Sequence, residues 1–262
     1  MQLTIVISYY KALDNLILIL KALNAQSNLD FEVIVSEDDN NPQTKDFVIK
    51  HAPNYLFPLI HLYQSKDDGF RKNEMLNRCI GSSKTQRLVF IDGDCIPHGQ
   101  FASQYIKNIK EGYFFSGRAL MLGSHISKSI VLSQDLNLLR PLSLIFSGSS
   151  PIKDAIYSPF IPLSIVARGI VGRNWGIMKS ELIKINGFDQ DYLKAGIGED
   201  TDVEWRLIAN GLKCANMKNK AIVYHISHKR NYTDNDVDHN IELLKMKQSL
   251  GYVICKNGII KL

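Results

Sequence analysis

The sequence predicts an α/β protein with a mostly parallel mixed sheet flanked by helices. In the first half of the chain, short apolar runs alternate with segments of helical periodicity, an order typical of parallel strands covered by helices. Polar and acidic residues follow several of these runs, at the strand ends where ligands collect in open α/β sheets. The chain has 262 residues, of which 45% are hydrophobic. This is enough for one substantial core, so we expect one domain spanning residues 1–262.

Four strands and two helices are predicted in the first half. The apolar runs have the length of buried strands, and the helical segments carry apolar residues at spacings of three and four. The strands are residues 3–8, 32–37, 59–64 and 87–92. One helix carries Leu16, Ile17, Ile19, Leu20 and Leu23, and the other carries Met75, Leu76, Cys79 and Ile80.

Candidate ligand groups follow three of these strands. They are Ser8, then Glu37 with Asp38, then Asp92-Gly93-Asp94. Two aspartates separated by a glycine suit a hard divalent cation, which prefers oxygen ligands and can hold a diphosphate. The same triplet is common in tight turns, because Asp and Gly favour chain reversals. The strand-end groups nevertheless predict a nucleotide-binding half in the first part of the chain.

A second acidic cluster occurs in the second half of the chain. Its residues are Gly198, Glu199, Asp200, Thr201 and Asp202. Acidic residues stabilise the positive end of a helix, which Gly211 would end. Capping needs only one carboxylate, however, and clustered carboxylates raise each other's pKa, which would tune a base for a sugar hydroxyl. Capping and general-base chemistry both stay open at this point.

Several side chains near these clusters have two interpretations each. His225 and His228 follow an apolar strand and are either structural groups or ligands of a metal held with the Asp-Gly-Asp triplet. Trp175 either packs in the core or stacks on a sugar ring, since an aromatic face suits the C–H surface of a carbohydrate. The basic pair Lys229-Arg230 either contacts a diphosphate or faces water.

Residues 134–171 form an apolar segment interrupted by Pro141, Pro151, Pro159 and Pro162. The prolines exclude one long continuous helix, and no stretch reaches the roughly 18 to 20 apolar residues that span a bilayer. Three interpretations stay open: packing of short helices, a lid-like cover over the site, and a membrane-contacting surface.

Charge and cysteine content limit the classes of protein to which this chain can belong. The net charge of +5 comes from scattered basic residues that are not interleaved with aromatics, which argues against dedicated nucleic-acid binding. It suits anionic substrates or an anionic membrane surface. The four cysteines show no zinc or disulfide spacing, and no signal-peptide pattern is present. We therefore expect reduced thiols and a cytoplasmic protein, with peripheral contact to the inner face of the cell membrane as one possibility.

The chain carries an ordered series of motifs: Glu37-Asp38, Asp67-Asp68-Gly69-Phe70-Arg71, Asn77, Phe90-Ile91-Asp92-Gly93-Asp94, Asn186-Gly187-Phe188-Asp189, Gly198-Glu199-Asp200-Thr201-Asp202 and Tyr224-His225-Ile226-Ser227-His228. This series resembles that of the family 2 glycosyltransferases of the GT-A fold. The C-terminal part is similar to the galactosyltransferase and chondroitin-polymerase type.

The resemblance implies an inverting enzyme that uses a nucleotide-activated sugar, usually a UDP-sugar, together with Mn²⁺ or Mg²⁺. Glu37 or Asp38 would bind the uracil or the ribose, with Asp67 and Arg71 beside the nucleotide. Residues 1–120 would thus form the nucleotide-sugar-binding half, and residues 121–262 the acceptor-binding half.

The resemblance also implies roles around the metal and the acceptor. Asp94 of the DXD motif would ligate the metal, while Asp92 would reach the ribose or the sugar and is a second candidate ligand. A late histidine would complete the metal site: the Tyr-His placement favours His225, and the basic residues that follow favour His228. The general base would be Asp200, and Glu199 would orient hydroxyl groups of the acceptor or donor.

Two departures from the family pattern stand out. Relatives often have an aromatic residue and two glycines before the Glu-Asp pair, where this chain has Ala195-Gly196-Ile197-Gly198; the sugar-stacking platform would then be either missing or supplied by Trp175. Relatives also often have Gln-Glu-Asp before Gly-Phe-Arg, where this chain has Ser65-Lys66-Asp67. No role of that glutamate can be transferred.

We therefore expect transfer of a hexose or N-acetylhexosamine from a UDP-sugar to a glycan or glycolipid, in the biosynthesis of a surface polysaccharide such as lipopolysaccharide or capsule. A sugar-nucleotide pyrophosphorylase or a dinucleotide-dependent oxidoreductase would need a glycine-rich loop after the first strand, and residues 8–12 contain no glycine. A catalytically silent carbohydrate-binding or scaffold subunit is expected to lose one acidic cluster, whereas this chain keeps both.

Overall fold

The computed structural model describes residues 1–161, 163, 166–229 and 232–262. Over these residues the chain forms ten strands, numbered here in chain order. They are β1 (Leu3–Tyr9), β2 (Phe31–Glu37), β3 (Leu59–Tyr63), β4 (Arg87–Asp92), β5 (Cys95–Pro97), β6 (Tyr113–Ser116), β7 (Arg118–Met121), β8 (Trp175–Met178), β9 (Lys213–Asn216) and β10 (Ile222–His225). The four predicted strands are confirmed as β1 to β4.

Helices connect the strands. In the described part of the chain they are α1 (Leu13–Asn24), α2 (Pro42–His51), α3 (Lys72–Ser82), α4 (Phe101–Asn108), α5 (Ser124–Ser133), α6 (Pro141–Ile145), α7 (Lys179–Lys184), α8 (Glu199–Ala209) and α9 (Asp234–Ser249). Both helices predicted in the first half are confirmed, as α1 and α3. The predicted start at the second acidic cluster is confirmed too, since α8 begins at Glu199.

The main sheet has seven strands in the order β3-β2-β1-β4-β8-β6-β9. Strands β3, β2, β1 and β4 are parallel to one another, and β8 is antiparallel to both β4 and β6. The predicted mostly parallel mixed sheet is therefore confirmed. Its register sets Ser8 beside Asp92 on one side and Ser36 on the other. The groups that follow β1, β2 and β4 consequently meet at one edge of the sheet.

A smaller sheet has three strands in the order β5-β10-β7. Strand β5 follows the Asp92-Gly93-Asp94 turn, and its pairing with β10 sets His225 beside Cys95. The same histidine lies beside Met121 of β7. The small sheet thus carries a late histidine to the end of β4, although about 130 residues of sequence separate them.

Both faces of the main sheet are buried. Ile5 and Ile7 of β1 pack into one apolar cluster, whereas Val6 packs into the other, as the alternation of side chains along a strand requires. A parallel sheet covered on both faces needs apolar residues at consecutive positions. The strands therefore appear in the sequence as unbroken apolar runs, because both of their faces are buried.

A buried ion pair anchors α8. Arg206 is fully buried, and its Nε donates to Asp202 Oδ2 at 2.8 Å. Its Nη1 donates to the carbonyl oxygens of Ile185 and Gly187 at 2.9 and 2.8 Å. The loop that begins the Asn-Gly-Phe-Asp motif is therefore fixed to the helix that carries the second acidic cluster.

Asn77 holds the same loop from the other side. Its Nδ2 donates to the carbonyl of Phe188, and its Oδ1 accepts from the Phe188 amide, each at 2.8 Å. Asp189 of the motif accepts from the buried Lys247 of α9 at 2.6 Å. The Asn77 and Asn186–Asp189 motifs therefore hold α3, α8 and α9 together.

Residues 134–171 contain short helical pieces. These are α6 and two 3₁₀ turns, Leu136–Leu139 and Ile152–Ala155. The structure thus bears out the prediction that no long helix forms; Pro162 lies outside the described residues. In the described part of the chain, no helix has the length and apolar character that crossing a membrane requires.

We predict that Arg206→Met strongly destabilises the fold. The substitution leaves Asp202 as an uncompensated buried charge and removes the donor to two carbonyls, a loss of about 3–5 kcal/mol in the free energy of unfolding. Urea unfolding measures this change. Lys245→Met on the exposed side of α9 is the matched control, with an expected change within about 0.5 kcal/mol. A similar stability for both variants would contradict the anchoring role of Arg206.

Candidate functional site

A cavity of about 540 Å³ opens at the carboxyl ends of β1, β2 and β4. Its wall includes polar groups from each of these strand ends and residues from near the C-terminal end of the chain. These include Ser8, Asp38, Lys72, Asp92, Gly93, Asp94, Ala195, His228 and Lys229. The structure thus brings Ser8, Asp38 and the Asp-Gly-Asp triplet together, as the strand-end pattern predicts.

Asp38 lies in the wall of this cavity with little exposure to solvent. Its carboxylate accepts from Gln64 Nε2 at 2.6 Å and from the backbone amide of Arg71 at 3.0 Å. Burial raises the pKa of Asp38 to about 6, although these two donors oppose the shift. Asp38 is therefore a preorganised polar group where the cavity meets the end of β2.

Glu37 does not reach the cavity. Its side chain is fully buried, and Oε2 lies 2.6 Å from His61 Nε2 of β3. Its other oxygen accepts from the amide of Asn41 before α2. Of the pair predicted for the uracil or ribose, Glu37 is thus the wrong residue, because its strand position turns it toward β3 and the start of α2.

Asp67 and Arg71 lie in the loop between β3 and α3. Asp67 Oδ2 accepts from Lys11 Nζ at 2.7 Å, and this hydrogen bond lowers the pKa of Asp67. The Arg71 guanidinium contacts Asp68 at 3.2 Å and borders a separate cavity along β3. Neither side chain lines the 540 Å³ cavity; Arg71 contacts Asp38 of the cavity wall through its backbone amide.

The Asp92-Gly93-Asp94 triplet is both a turn and part of the site. Asp92 ends β4, and Cys95 begins β5. A Cβ atom on residue 93 would lie 2.9 Å from the carbonyl oxygen of Ser8. Glycine is needed here because the turn packs directly against the end of β1.

Asp94 lies between two histidines. Its Oδ2 is 2.9 Å from His228 Nε2, and its Oδ1 is 3.5 Å from His225 Nε2. Burial works to raise the pKa of Asp94, but the hydrogen bond from His228 and the charge of both imidazoles outweigh it and lower the pKa. The two candidate histidines therefore converge on the carboxylate that the sequence singled out.

The two histidines differ in their surroundings. Both ring nitrogens of His228 face oxygens, Asp94 at 2.9 Å and the Lys229 carbonyl at 2.7 Å, and the bond to Asp94 raises the pKa of His228 to about 9. Burial lowers the pKa of His225, and its buried Nδ1 has no hydrogen-bond partner among the described residues. An orphaned imidazole nitrogen is unusual in a folded protein.

This donor set fits a divalent cation. Ligand atoms of Asp94, Cys95 and His225 all lie within 4.8 Å of one another; a carboxylate suits Mn²⁺ or Mg²⁺, and an imidazole is a common ligand of transition metals. Burial and the adjacent carboxylates raise the pKa of Cys95 well above its usual value, so this thiol serves better as a donor to Asp94 at 3.3 Å than as a ligand. Asp94 with His225 and His228 would hold the ion.

The second acidic cluster begins α8. Gly198 precedes the helix with a φ of 132°, in a region that side chains rarely adopt. Asp200 Oδ2 accepts from the Gly172 amide at 2.7 Å, which fixes the orientation of its carboxylate. Glu199 is 5% exposed, and its Oε2 has no hydrogen-bond partner within the described part of the chain. Burial first, and then the charge of Asp200, raise the pKa of Glu199 to about 8.

Lys72 joins the two acidic clusters, and sequence reasoning missed it. Its Nζ lies 3.4 Å from Asp92 Oδ1 and 3.9 Å from Glu199 Oε1. Burial alone would lower the pKa of Lys72, but Asp92, Asp200 and Glu199 together raise it. Lysine at the first residue of a helix opposes the helix dipole. A lysine at the first residue of α3 was therefore the sequence signal that could have identified Lys72 as a site residue.

Trp175 is not part of the site. It is 1% exposed, stacks on Phe90 with ring centroids 4.7 Å apart, and packs edge-on against Phe188. The prediction that it stacks on a sugar is therefore wrong, because its position on β8 places it inside the core. Of the basic pair, Lys229 is exposed and lines the cavity, while Arg230 lies outside the described residues.

Arg173 is a second cation that the sequence analysis did not identify. It precedes β8, and its Nη1 lies 3.3 Å from Met121 Sδ of β7. Its charge helps to lower the pKa of His225. No spacing rule marks such a residue, because it approaches the histidine only through the pairing of the small sheet.

Two family models match the sequence. The model described as "Glycosyl transferase family 2" matches residues 4–120, which contain β1 to β6 and the Asp-Gly-Asp triplet. The model described as "N-terminal domain of galactosyltransferase" matches residues 161–229, which contain the second acidic cluster and both histidines. No curated protein matches the sequence.

Solved structures share the fold at low sequence identity. TarS residues 1–349 from S. aureus, in complex with UDP, is 14% identical with a TM-score of 0.65; the match covers 94% of this chain and 65% of TarS 1–349. The mannosyltransferase PcManGT from Pyrobaculum calidifontis, in complex with GDP-Man and Mn²⁺, is 13% identical with a TM-score of 0.60, covering 96% and 62%.

GalNAc-T7, solved with UDP, GalNAc and Mn²⁺, is 11% identical with a TM-score of 0.63. The match covers 95% of this chain and 54% of GalNAc-T7. The present chain thus spans less than two thirds of each of these three structures. The likeness shows the GT-A fold. The two family matches assign residues 4–120 to the family 2 glycosyltransferases and residues 161–229 to a galactosyltransferase-type segment.

Proposed function

We propose that this glycosyltransferase moves a hexose or N-acetylhexosamine from a UDP-sugar to a hydroxyl of a glycan or glycolipid, with inversion at the anomeric carbon. One observation carries the proposal: Lys72 contacts both Asp92, at the end of β4, and Glu199, at the start of α8. The acidic residues proposed to act on the donor and those proposed to act on the acceptor therefore lie around the same lysine. We treat residues 1–262 as one domain with a donor half and an acceptor half.

On the donor side, Asp38 and Ser8 would bind the nucleoside, and Asp92 would contact the ribose or the sugar. Asp94, His225 and His228 would hold Mn²⁺ or Mg²⁺, which neutralises the charge that develops on the departing diphosphate. To act as a ligand, His228 must release the proton from Nε2. Its Nδ1 can keep donating to the Lys229 carbonyl, a contact that orients a metal-bound imidazole.

On the acceptor side, Asp200 is the proposed general base. The acceptor oxygen forms a bond to the anomeric carbon while the bond from that carbon to the diphosphate oxygen breaks. The acceptor proton passes to the Asp200 carboxylate, and the nucleoside diphosphate leaves. The Gly172 amide fixes the base in place. Glu199, whose pKa of about 8 keeps it mostly protonated at neutral pH, would donate a hydrogen bond to a sugar hydroxyl.

The setting we propose is biosynthesis of a surface polysaccharide such as lipopolysaccharide or capsule, in the cytoplasm, with peripheral contact to the inner face of the membrane. The support for this setting is the exposed apolar surface of residues 132–166, described in the next subsection. A glycolipid acceptor would be reached from such a position.

Asp94→Ala and Asp200→Asn should separate donor binding from transfer. We expect Asp94→Ala to abolish Mn²⁺-dependent thermal stabilisation by UDP. Asp200→Asn should keep that stabilisation and lose transfer by about 10² to 10⁴-fold, the usual contribution of a general base. Thermal-shift titration and a UDP-release assay measure the two effects.

Asp238→Ala, on the exposed side of α9, is the control for both assays and should behave as the unaltered protein does. Equal loss of UDP stabilisation in Asp94→Ala and Asp200→Asn would refute the division of roles. If the unaltered protein shows no stabilisation by UDP with Mn²⁺, the UDP-sugar proposal itself fails.

The raised pKa of Glu199 predicts a pH-dependent stability. The folded protein keeps this proton up to a pKa of about 8, whereas an unfolded chain loses it near about 4.3. The folded state therefore binds more protons in this window, and the free energy of unfolding falls as pH rises through it.

Glu199→Gln cannot titrate, so we expect its stability to decrease less with pH, by about 1 kcal/mol per pH unit between pH values of about 5 and 8. Urea unfolding at several pH values across this window measures the slope. Glu242→Gln, at an exposed position of α9, should keep the slope of the unaltered protein. An unchanged slope in Glu199→Gln would show that Glu199 is ionised throughout.

A further inference from the structure

Large apolar side chains are exposed along residues 132–166, which we call the apolar surface. Phe146 and Phe160 are 93% and 94% exposed, and Leu132 and Leu142 are 86% and 81% exposed. Single exposed apolar residues are ordinary, but clustered ones mark interaction sites. The described members are Leu132, Leu142, Ile145, Phe146, Ile156, Phe160, Ile161, Leu163 and Val166.

The pieces of this surface pack on one another. Helix α6 contacts both 3₁₀ turns of the segment. Ile145 and Ile156 border the same cavity of about 700 Å³, which Leu139 and Leu144 also line. The exposed apolar groups therefore continue into an apolar cavity.

Within residues 132–166, two basic residues balance two acidic ones, and basic residues on either side make the wider stretch positive. Residues 124–173 contain five basic residues, Lys128, Arg140, Lys153, Arg168 and Arg173, and two acidic residues, Asp135 and Asp154. This gives +3 of the chain's net +5 in 50 residues, leaving +2 for the other 212. Asp154 is moreover paired with Lys218 at 2.9 Å. Apolar side chains with flanking cations are the composition that binds the surface of an anionic bilayer.

Two contacts link this stretch of the chain to the candidate site. Met121, beside His225 in the small sheet, exchanges backbone hydrogen bonds with Ser150, in the middle of the segment, at 3.0 and 2.9 Å. Gly172, which follows the segment, donates its amide to Asp200. The segment that carries the apolar surface is therefore joined to the small sheet of the proposed metal site and is followed by a residue that contacts the proposed base.

We propose that the apolar surface docks this enzyme onto an anionic phospholipid bilayer, with Phe146 and Phe160 entering the interface and Arg140 contacting lipid phosphates. Arg140 is exposed, borders the apolar cavity and precedes α6. The benefit of docking rests on the proposed function, since a membrane-bound glycolipid acceptor would then be presented to Asp200. Docking itself is independent of donor chemistry and can be measured without it.

The test is vesicle flotation of the full chain, with vesicles of phosphatidylcholine alone and with equal parts of phosphatidylglycerol. We expect binding to the anionic vesicles that weakens with salt. Phe146→Ser with Phe160→Ser should reduce the bound fraction by about tenfold or more, because both rings lose interfacial burial. Arg140→Glu should reduce binding to anionic vesicles by at least about fivefold, because it reverses one contact charge.

The matched control is Ile49→Ser with Leu56→Ser, two apolar residues of the donor half that are 77% and 64% exposed. This pair should bind vesicles as the unaltered protein does. All variants should keep stabilisation by UDP with Mn²⁺, which shows that they are folded.

Three outcomes would overturn the docking proposal. One is no binding of the unaltered protein to anionic vesicles, and another is equal loss in the control pair. The third is concentration-dependent self-association in place of vesicle binding, abolished by the two Phe substitutions, which would show that a second copy covers the surface. Vesicle binding without any response to UDP would instead reject the proposed function and leave docking intact.

Discussion

Repulsion among carboxylates is the constraint around which the site is built. Asp92, Asp94, Glu199 and Asp200 come together where β4 ends and α8 begins, and like charges at such distances cannot all ionise freely. The structure meets this with Lys72 between Asp92 and Glu199, with His228 on Asp94, and with a Glu199 pKa raised to about 8. These two cations and the proton on Glu199 offset the repulsion among the acids.

The same electrostatics divides the acids by role. Asp94 has two imidazoles as neighbours, and its pKa is lowered, so it is ionised and ready to bind a cation. Glu199 is buried with its Oε2 unpartnered, so it holds a proton. Environments that push the pKa values of neighbouring groups apart are how one site assigns acid and base functions. Neither assignment is visible in the spacing of the residues, because both depend on what surrounds each side chain.

The fold determines the positions of these acidic residues and of the histidines. Parallel pairing of β1 with β2 and β4 brings three strand ends to one edge, and the small sheet carries His225 to the Asp-Gly-Asp turn. On the far side, Arg206 and Asn77 fix the Asn186–Asp189 loop, and Arg206 also anchors α8 through Asp202. Two of the family motifs, Asn77 and Asn186–Asp189, therefore have a structural role, because they fix the helices around the cavity.

The sequence by itself determined the α/β class, the first four strands and both acidic clusters, because unbroken apolar runs ending in acids leave few alternatives. It could not decide whether Glu37 or Asp38 faces the cavity, or whether Trp175 packs in the core or stacks on a sugar. Both questions depend on the direction in which a residue in or next to a strand faces. Lys72 and Arg173 escaped detection because they meet their partners only across sequence-distant elements. Tertiary structure decided these points, since the contacts that set charge and burial join residues that are far apart in the chain.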